Sequence, residues 1–548
     1  MIKFLSRSSQ SITGAALVIS AATLISRIVG MIRDRVFAHE FGSGAVIDAY
    51  QAAFRIPDLM YNLLIVGALT AGFVPVFTKL YLSDKPEKAW HMANNVLNIC
   101  VTALVVICIA GMALARPLSH IVAPGFSKEK QDLVVTFLRI ILLSPILLGI
   151  STIIGGILQS FRQFLVYSLA PIFYNVGIII GATVLFPTIG ISGLAWGVVV
   201  GALLHLLVQL YGAYTRGYRW QGVFDLRDKD SNELGRLMIP RTLGLAFSQL
   251  SLTIITILGS TLSGDGNIGA LNYASNLQGV PLGLIGAPFA LAVFPVLSAA
   301  VAGKNMDEFK NHLSTTLRQI LFLIIPTAAL FGILSIQLIR VIYGTGEFDW
   351  EDTILTGEAL KFFAIGIVAQ SILPLLGRAF YALSDTKTPF MTGAVAEVIT
   401  IIFALVLIYP RFGIMHRFGL SGVAGLALAS SLGVVANIVF LFIFLRKKIH
   451  GMEDKKLFFL LVRILIATFV MGVAAQYMKT PIASLVDMTK GWGILIQGFG
   501  AGIVGILVYL ALCWLMRVEE LSQFITSLKK RWLKVKNVSG SIDEGQAL

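Results

Sequence analysis

Apolar runs long enough to cross a bilayer recur from one end of the chain to the other, separated by short polar segments. A spanning helix needs ~20 predominantly apolar residues. The pattern places such runs near 14–38, 46–79, 91–115, 133–158, 166–186, 191–215, 234–262, 267–301, 313–343, 354–382, 390–409, 420–445, 457–478 and 491–516, and so predicts about fourteen transmembrane helices. Several exceed the minimum length and are expected to tilt, bend or project from the membrane. The second run is expected to be interrupted at Arg55-Ile56-Pro57-Asp58 and the eighth near Gly279-Val280-Pro281. A proline at such a place removes a helical hydrogen bond.

Composition strengthens this reading. Of 548 residues, 56% are hydrophobic and only 13% charged, with a mean hydropathy of +0.83. A soluble chain carries roughly 25% charged residues, so too little polar surface remains to face water. The net charge of +14 raises the question of nucleic acid, but its distribution argues against that partner. Most Lys and Arg residues fall in short loops between spans. With an even number of crossings both termini lie on one side, and that side collects the basic residues by about three to one. The positive-inside rule then puts both termini in the cytoplasm. The loop Tyr343–Asp352, on the opposite side, carries acidic charges only. The basic segment Met1–Thr13 runs into the first span without a small-residue cleavage site, so it reads as the start of a helix rather than a removed signal. Cys100, Cys108 and Cys513 all sit in apolar runs and read as small core residues rather than metal ligands.

The chain also repeats itself. Gly190-Ile191-Ser192-Gly193-Leu194-Ala195 opens the sixth run and Gly419-Leu420-Ser421-Gly422-Val423-Ala424 the twelfth. Ala49-Tyr50, Pro57, Gly67-Ala68 and Phe73-Val74-Pro75-Val76 are echoed by Asn272-Tyr273, Pro281, Gly286-Ala287 and Val293-Phe294-Pro295-Val296. The segment ending at Pro171 likewise echoes the one ending at Pro389. The ordered matches predict an all-α bundle of two six-helix lobes, 1–217 and 231–446. Two further helices occupy 457–517 and a basic tail 518–548. Six is even, so the copies share an orientation and should be related by an axis along the membrane normal, with a cavity between them. The stretch Leu528–Lys536 of the tail is amphipathic and suits the cytoplasmic interface.

Charged residues inside apolar spans are the candidates for function, because a charge at the bilayer centre costs at least ~2.5–3.5 kcal/mol on insertion scales. The first span carries Arg27, Arg33 and Asp34, and the second Asp48, Arg55 and Asp58. Arg35 is expected to snorkel to the headgroups. Arg27 and Arg33 lie ~9 Å apart along an ideal helix and point ~120° apart. They can address one ligand only if the cavity is wide or the helix bends at Gly30. Asp48 and Arg55 share a face and could pair. Glu397 lies mid-span and could bind a coupling cation, relay protons or pair with an arginine, for which Arg241 is a candidate. Arg378 and Lys387 flank a turn and fit a positive-inside role, and His205 fits packing. No phosphate-binding loop and no clustered His or Cys set is visible. The longest loop, 216–231, is too short to hold a membrane glycosyl- or phosphotransferase site. A transporter is the reading the pattern favours over an enzyme or a non-transporting scaffold, with uphill movement drawn from membrane potential, a monovalent cation gradient or the substrate gradient.

The segment Ser26-Arg27-Ile28-Val29-Gly30-Met31-Ile32-Arg33-Asp34, followed by Phe41-Gly42-Ser43-Gly44 and Asp48-Ala49-Tyr50, resembles the MurJ (MviN) family of bacterial lipid II flippases. That family falls within the multidrug/oligosaccharidyl-lipid/polysaccharide exporter superfamily. Ala53-Phe54-Arg55-Ile56-Pro57-Asp58-Leu59, Ala123-Pro124-Gly125-Phe126, Arg378-Ala379-Phe380-Tyr381-Ala382-Leu383 and Asp385-Thr386-Lys387-Thr388-Pro389 fit as well. The resemblance covers roughly residues 12–450. It implies fourteen helices in a V around a cationic cavity, with the last two forming a lipid groove. It also implies a monomer in the bacterial inner membrane, embedded in membrane lipids and without a cofactor. The substrate it implies is undecaprenyl diphosphate bearing the peptidoglycan disaccharide-peptide. By position, Arg27 and Arg33 match the family's cavity arginines, and Asp34 and Asp48 its nearby acids. The chain departs from the family at Tyr61-Asn62, where many members carry arginines, and at Ser275-Asn276, where an Asp-Arg pair is common. Its diphosphate site is therefore less cationic unless Arg55 or Arg241 compensates. The rival readings are a flippase for another polyprenyl-diphosphate-linked oligosaccharide and a cation-coupled multidrug exporter.

Overall fold

A computed structural model describes residues 12–63, 72–83, 86–408, 415, 419–451 and 454–526, with the backbone alone for 12–18, 236–247 and 454. Gly67-Ala68, the Arg241 side chain and the amphipathic stretch of the tail lie outside the described residues. Among those described, eleven helices are long and apolar enough to cross a membrane. The chain is thus an all-helical multi-pass membrane protein. Its surface bears large apolar side chains such as Ile109, Phe469, Leu507 and Trp514, as a lipid-facing surface should.

Two compact units partition the chain: Met1–Asn276 with Ile342–Ala359 and Glu397–Ala429, and Leu277–Val341 with Leu360–Ala396 and Ser430–Leu548. The first unit contains α1 (Ile12–Phe41), α2 (Ala45–Tyr61), α3 (Phe73–Leu82), α4 (Pro86–Ala113) and α5 (Ala115–Val122). It continues through α6 (Lys128–Ile141), α7 (Ser144–Ser160), α8 (Phe164–Ile180), α9 (Ser192–Tyr214) and α10 (Lys229–Ser260) to the start of α11 (Asn267–Pro281). One expectation fails here. The second run is not interrupted at Arg55–Asp58, because α2 runs through Pro57 to Tyr61. A single missing hydrogen bond is tolerated, and the Asn62 amide donates to Asp58 O at 2.9 Å. The irregularity falls one turn later, at the π-helical residues 62–63. In α11 the disturbance does sit at the proline: Pro281 is followed by a π-helical turn, Leu282–Gly286.

Glycine sets the packing of α8 against α9. Gly193, Gly197 and Gly201 recur every fourth residue along one face of α9, and Gly177 and Gly181 oppose them. A Cβ on Gly177 would lie 2.2 Å from Gly201 Cα, and one on Gly181 would lie 2.5 Å from Gly197 Cα. This is the small-residue route to helix association in a membrane, where burial of apolar surface gives little drive. The repeated motif has a local structural counterpart. Gly190 and Gly419, which open the two copies, have φ of 72° and 64°, a left-handed turn that glycine adopts without a Cβ penalty.

The second unit is built on α12 (Ala287–Ala302), α13 (Met306–Ile333), most of α15 (Trp350–Ala382), much of α17 (Gly422–Lys448), α18 (Asp454–Ala483) and α19 (Gly491–Leu515). The predicted run 313–343 is broken at Leu334, so that α14 (Ser335–Tyr343) is a separate short helix. α18 packs on α13 and α19, and the core is filled by Leu317, Ile320, Ile324, Ile464, Met471 and Cys513 among others. Cys108 and Cys513 are buried and Cys100 half-buried, all as free thiols.

Candidate functional site

The charged residues of the first two spans do not form one cluster. The structure distributes them over three places, all within the first unit.

The first place is an arginine–amide cluster. The Arg33 guanidinium donates from Nε and Nη2 to Asp34 Oδ1, at 2.9 and 2.7 Å, and from Nη1 to Asn175 Oδ1 on α8 at 2.9 Å. Asn276 Nδ2 on α11 in turn donates to Asp34 Oδ2 at 2.9 Å. On α2, Arg55 Nη2 donates to Asn272 Oδ1 at 3.2 Å. Asn272 and Asn276 are four residues apart and so share one face of α11. Asp34 from α1 and Arg55 from α2 therefore meet one face of α11, and Arg33 joins them through Asp34 while its other end reaches α8. Asp34 thus fixes Arg33, its own neighbour in the chain. An arginine has five N–H donors, and these contacts occupy three of Arg33's. Arg55 Nε is buried without a hydrogen-bond partner among the described residues. Asn276 serves the cluster by holding Asp34 through its amide. Sequence reasoning passed over Asn175 and Asn272, although an amide in an apolar span is itself a signal.

The second place is a buried ion pair. Asp48 does not pair with Arg55. Its Oδ2 accepts from Lys130 Nζ at 2.9 Å, and Lys130 also reaches Asp265 at 2.8 Å. Asp48 is 1% exposed and Lys130 8%. The same carboxylate accepts backbone N–H groups of Gly266, Ile268 and Gly269, at 2.8, 2.9 and 2.9 Å. It thus caps the start of α11, where the helix dipole favours a negative charge. The shared helix face of Asp48 and Arg55 gave a plausible pairing, but Asp48 stands in the first turn of α2 beside α11 and takes the partners found there. Lys130, which reads in the sequence as one more loop cation, is its buried counter-ion.

The third place is a cavity of about 480 Å³ between α1, α2, α3, α7, α8 and α9. Arg27 lines it, together with Tyr61, Thr152, Gln159, Tyr167, Gln209 and others. Arg33 is not in its wall, so the two arginines of α1 serve different surroundings, as their angular separation implies. His205 also lines the cavity and is tied to Ser151 at 2.7 Å through Nδ1, in keeping with a packing role. The volume lies within the ~300–1,000 Å³ typical of small-molecule sites.

The remaining candidates lie elsewhere. Arg35 Nη1 donates to Ile342 O at 3.1 Å. Glu397 on α16 (Lys387–Ile408) has the Ser251 hydroxyl beside it. Arg378 keeps a shielded Nη1 without a partner among the described residues, and Lys387 is exposed at the start of α16. The neighbouring Asp385 shapes that turn. The Lys448 ammonium, 2.6 Å away, and two hydrogen bonds from Thr388 hold its carboxyl down to about 2.

Arginines set by carboxylate and amide partners, inside a bundle of membrane-crossing helices and next to an internal cavity, define a polytopic helical membrane transporter. The family model for the lipid II flippase MurJ matches residues 37–489, and the chain belongs to that family. It is 28% identical over 532 residues to the probable lipid II flippase MurJ of Rhizobium tropici, covering 94% of this chain and 96% of that protein. It is 29% identical over 450 residues to the lipid II flippase MurJ of Burkholderia cenocepacia, covering 79% and 84%. A solved structure of the lipid II flippase MurJ in an inward closed conformation superposes with a TM-score of 0.73 at 24% identity, over 91% of this chain and 98% of that one. An inward-facing multidrug resistance MATE family transporter of the MOP superfamily has the related fold, with a TM-score of 0.63 at 16% identity over 80% and 98%.

Proposed function

We propose that this chain carries lipid II, the lipid-linked peptidoglycan precursor, from the cytoplasmic to the outer leaflet of the bacterial cell membrane. The family supplies the activity. The observation that carries the reading on this chain is the cluster in which Asp34 and Arg55 meet one face of α11 and Asp34 holds Arg33. A diphosphate accepts paired hydrogen bonds, and arginine's planar fork donates them with fixed geometry. Asp34 and Asn175 fix the Arg33 plane in advance and leave two of its N–H groups for a ligand.

The finer picture rests on the sequence pattern. Fourteen spans form two six-helix lobes related along the membrane normal, followed by two extra helices and a basic tail. Both termini are cytoplasmic and the loop 344–352 is external. The protein works as a monomer by alternating access, without catalysis of its own, and draws on membrane potential or a monovalent cation. Arg27 meets the substrate from the cavity of the first unit, and Asp48 holds α11 in place.

Depletion of the protein in its own cell tests the reading. Lipid II should accumulate in the cytoplasmic leaflet within the time that growth continues, and re-expression of the chain should clear it. Unchanged leaflet distribution after depletion would sink the proposal.

A further inference from the structure

We infer that the segment 218–226, between α9 and α10, is a strap embedded in the lipid surface. It lies at the boundary of headgroups and acyl chains on the side of the basic loops, held there by three asparagines of α4, with Trp220, Phe224 and Leu226 in the lipid. A loop in water can leave its carbonyls to the solvent, whereas backbone against lipid must find its partners in the protein. This segment finds them on α4. Asn94 Nδ2 donates to Arg219 O at 3.2 Å, and Asn98 Nδ2 donates to Gln221 O and Val223 O at 2.8 and 2.6 Å. Asn95 Nδ2 donates to Asp225 O at 2.7 Å. Every second carbonyl from 219 to 225 is therefore taken by an asparagine amide. The same asparagines accept from Gln221 N at 3.0 Å and Asp225 N at 2.7 Å. Asn98 Oδ1 accepts the Trp220 indole N–H at 3.0 Å.

The place of attachment sets the depth. Asn98 shares a face of α4 with Val106 and Ile109, two and three turns further along, and both of these are exposed apolar side chains. The segment thus lies across the lipid-facing stripe of α4. Lys88, in the charged start of that helix, lies ~15 Å along the axis from Asn98, so the strap reaches past the charges to the apolar part of the span. There it turns outward three large apolar groups: Trp220 is 67% exposed, Phe224 54% and Leu226 65%. Tryptophan concentrates at this boundary, where its ring is in lipid and its N–H is bonded. Arg219 supplies the polar edge. Its guanidinium lies 3.7 Å from the Tyr214 ring centroid, and Nη1 donates to Tyr214 O and Tyr218 O at 3.0 and 2.7 Å. Nε and Nη2 remain for a lipid phosphate, which arginine binds as a fork. Asp225, the one acid of the segment, accepts the Arg227 N–H through Oδ1 at 2.8 Å. The anchoring holds whichever lipid the protein carries.

The test is fluorescence quenching of the full-length protein in phosphatidylcholine nanodiscs. Subtracting the emission of Trp220→Phe from that of the wild type isolates Trp220 among the seven tryptophans. The quenchers are phosphatidylcholine brominated near the top of its acyl chains and aqueous iodide. Trp220 should lose most of its emission to the brominated lipid and keep it in iodide. The reverse pattern would place the segment in water and overturn the strap. Shielding from both quenchers would mean that protein covers it, and would overturn the strap as well. Asn98→Leu adds an independent check, measured against the Asn98→Leu, Trp220→Phe pair. It strips the Gln221 and Val223 carbonyls of their donor, so the segment should leave the lipid and Trp220 should become open to iodide. A Trp220 still quenched by brominated lipid alone in that variant would refute the hold of the asparagines on which the strap depends.

Discussion

Lys130→Met is expected to destabilise the protein by about 3–5 kcal/mol, the usual result of removing one partner of a buried ion pair. Asp48 would keep its three backbone N–H bonds but lose the ammonium at 2.9 Å. At 1% exposure it has no water to replace it. Lys130 also bonds Asp265 and lies over the Phe126 ring, 4.1 Å from its centroid, so the substitution touches two further contacts. The double variant Asp48→Asn, Lys130→Met removes the orphaned charge and should recover a good part of the loss. Thermal unfolding of the single and double variants in one detergent would measure the coupling. Equal stability of wild type and Lys130→Met would mean that the backbone amides alone hold Asp48. The consequence extends beyond stability, because Asp48 fixes the start of α11, the helix that presents Asn272 to Arg55 and Asn276 to Asp34.

Gly201→Leu should be comparably damaging through sterics. A Cβ at position 201 would already lie 2.4 Å from Tyr174 O, and backbone cannot yield as a side-chain tip can. Overpacking usually costs ~1–3 kcal/mol, and here it falls on the contact that holds α8 against α9. α8 carries Asn175 and one wall of the cavity, so substrate binding should fall together with folding yield. Gly393→Ala is the control, because nothing lies within 4 Å of a Cβ there. Size-exclusion profiles and unfolding temperatures of the two variants would decide the matter. A Gly201→Leu protein as stable as Gly393→Ala would contradict the close packing described.

Eleven spans among the described residues were legible because a hydrocarbon solvent imposes length and composition on each helix separately. The glycine face of α9 was not read from the sequence, because which helix comes close to Gly193, Gly197 and Gly201 is a tertiary fact. The site was legible only in part. Arg27, Arg33, Asp34 and Arg55 stand out as charges in apolar surroundings, and three of them do converge. Their amide partners do not stand out. Asn272 and Asn276 lie more than 200 residues away in sequence, and their role comes from sharing a helix face. Lys130 looked like a loop cation because burial is a tertiary property. Asp48 was paired with the wrong residue for the same reason: helical spacing shows what two residues could share, while the neighbouring helix decides what they bind.

The central claim is that arginines held inside the bundle grip the diphosphate during transport. Lipid II flipping by the protein reconstituted in sealed vesicles tests it most directly, with variants present at equal, verified amounts. Arg33→Lys keeps the charge and loses the fork, and should already slow flipping. Arg33→Ala should lose more, about 1.5–3 kcal/mol for each charged hydrogen bond removed, and the Arg27→Ala, Arg33→Ala double variant should fall to background. Wild-type flipping rates in that double variant would contradict the account.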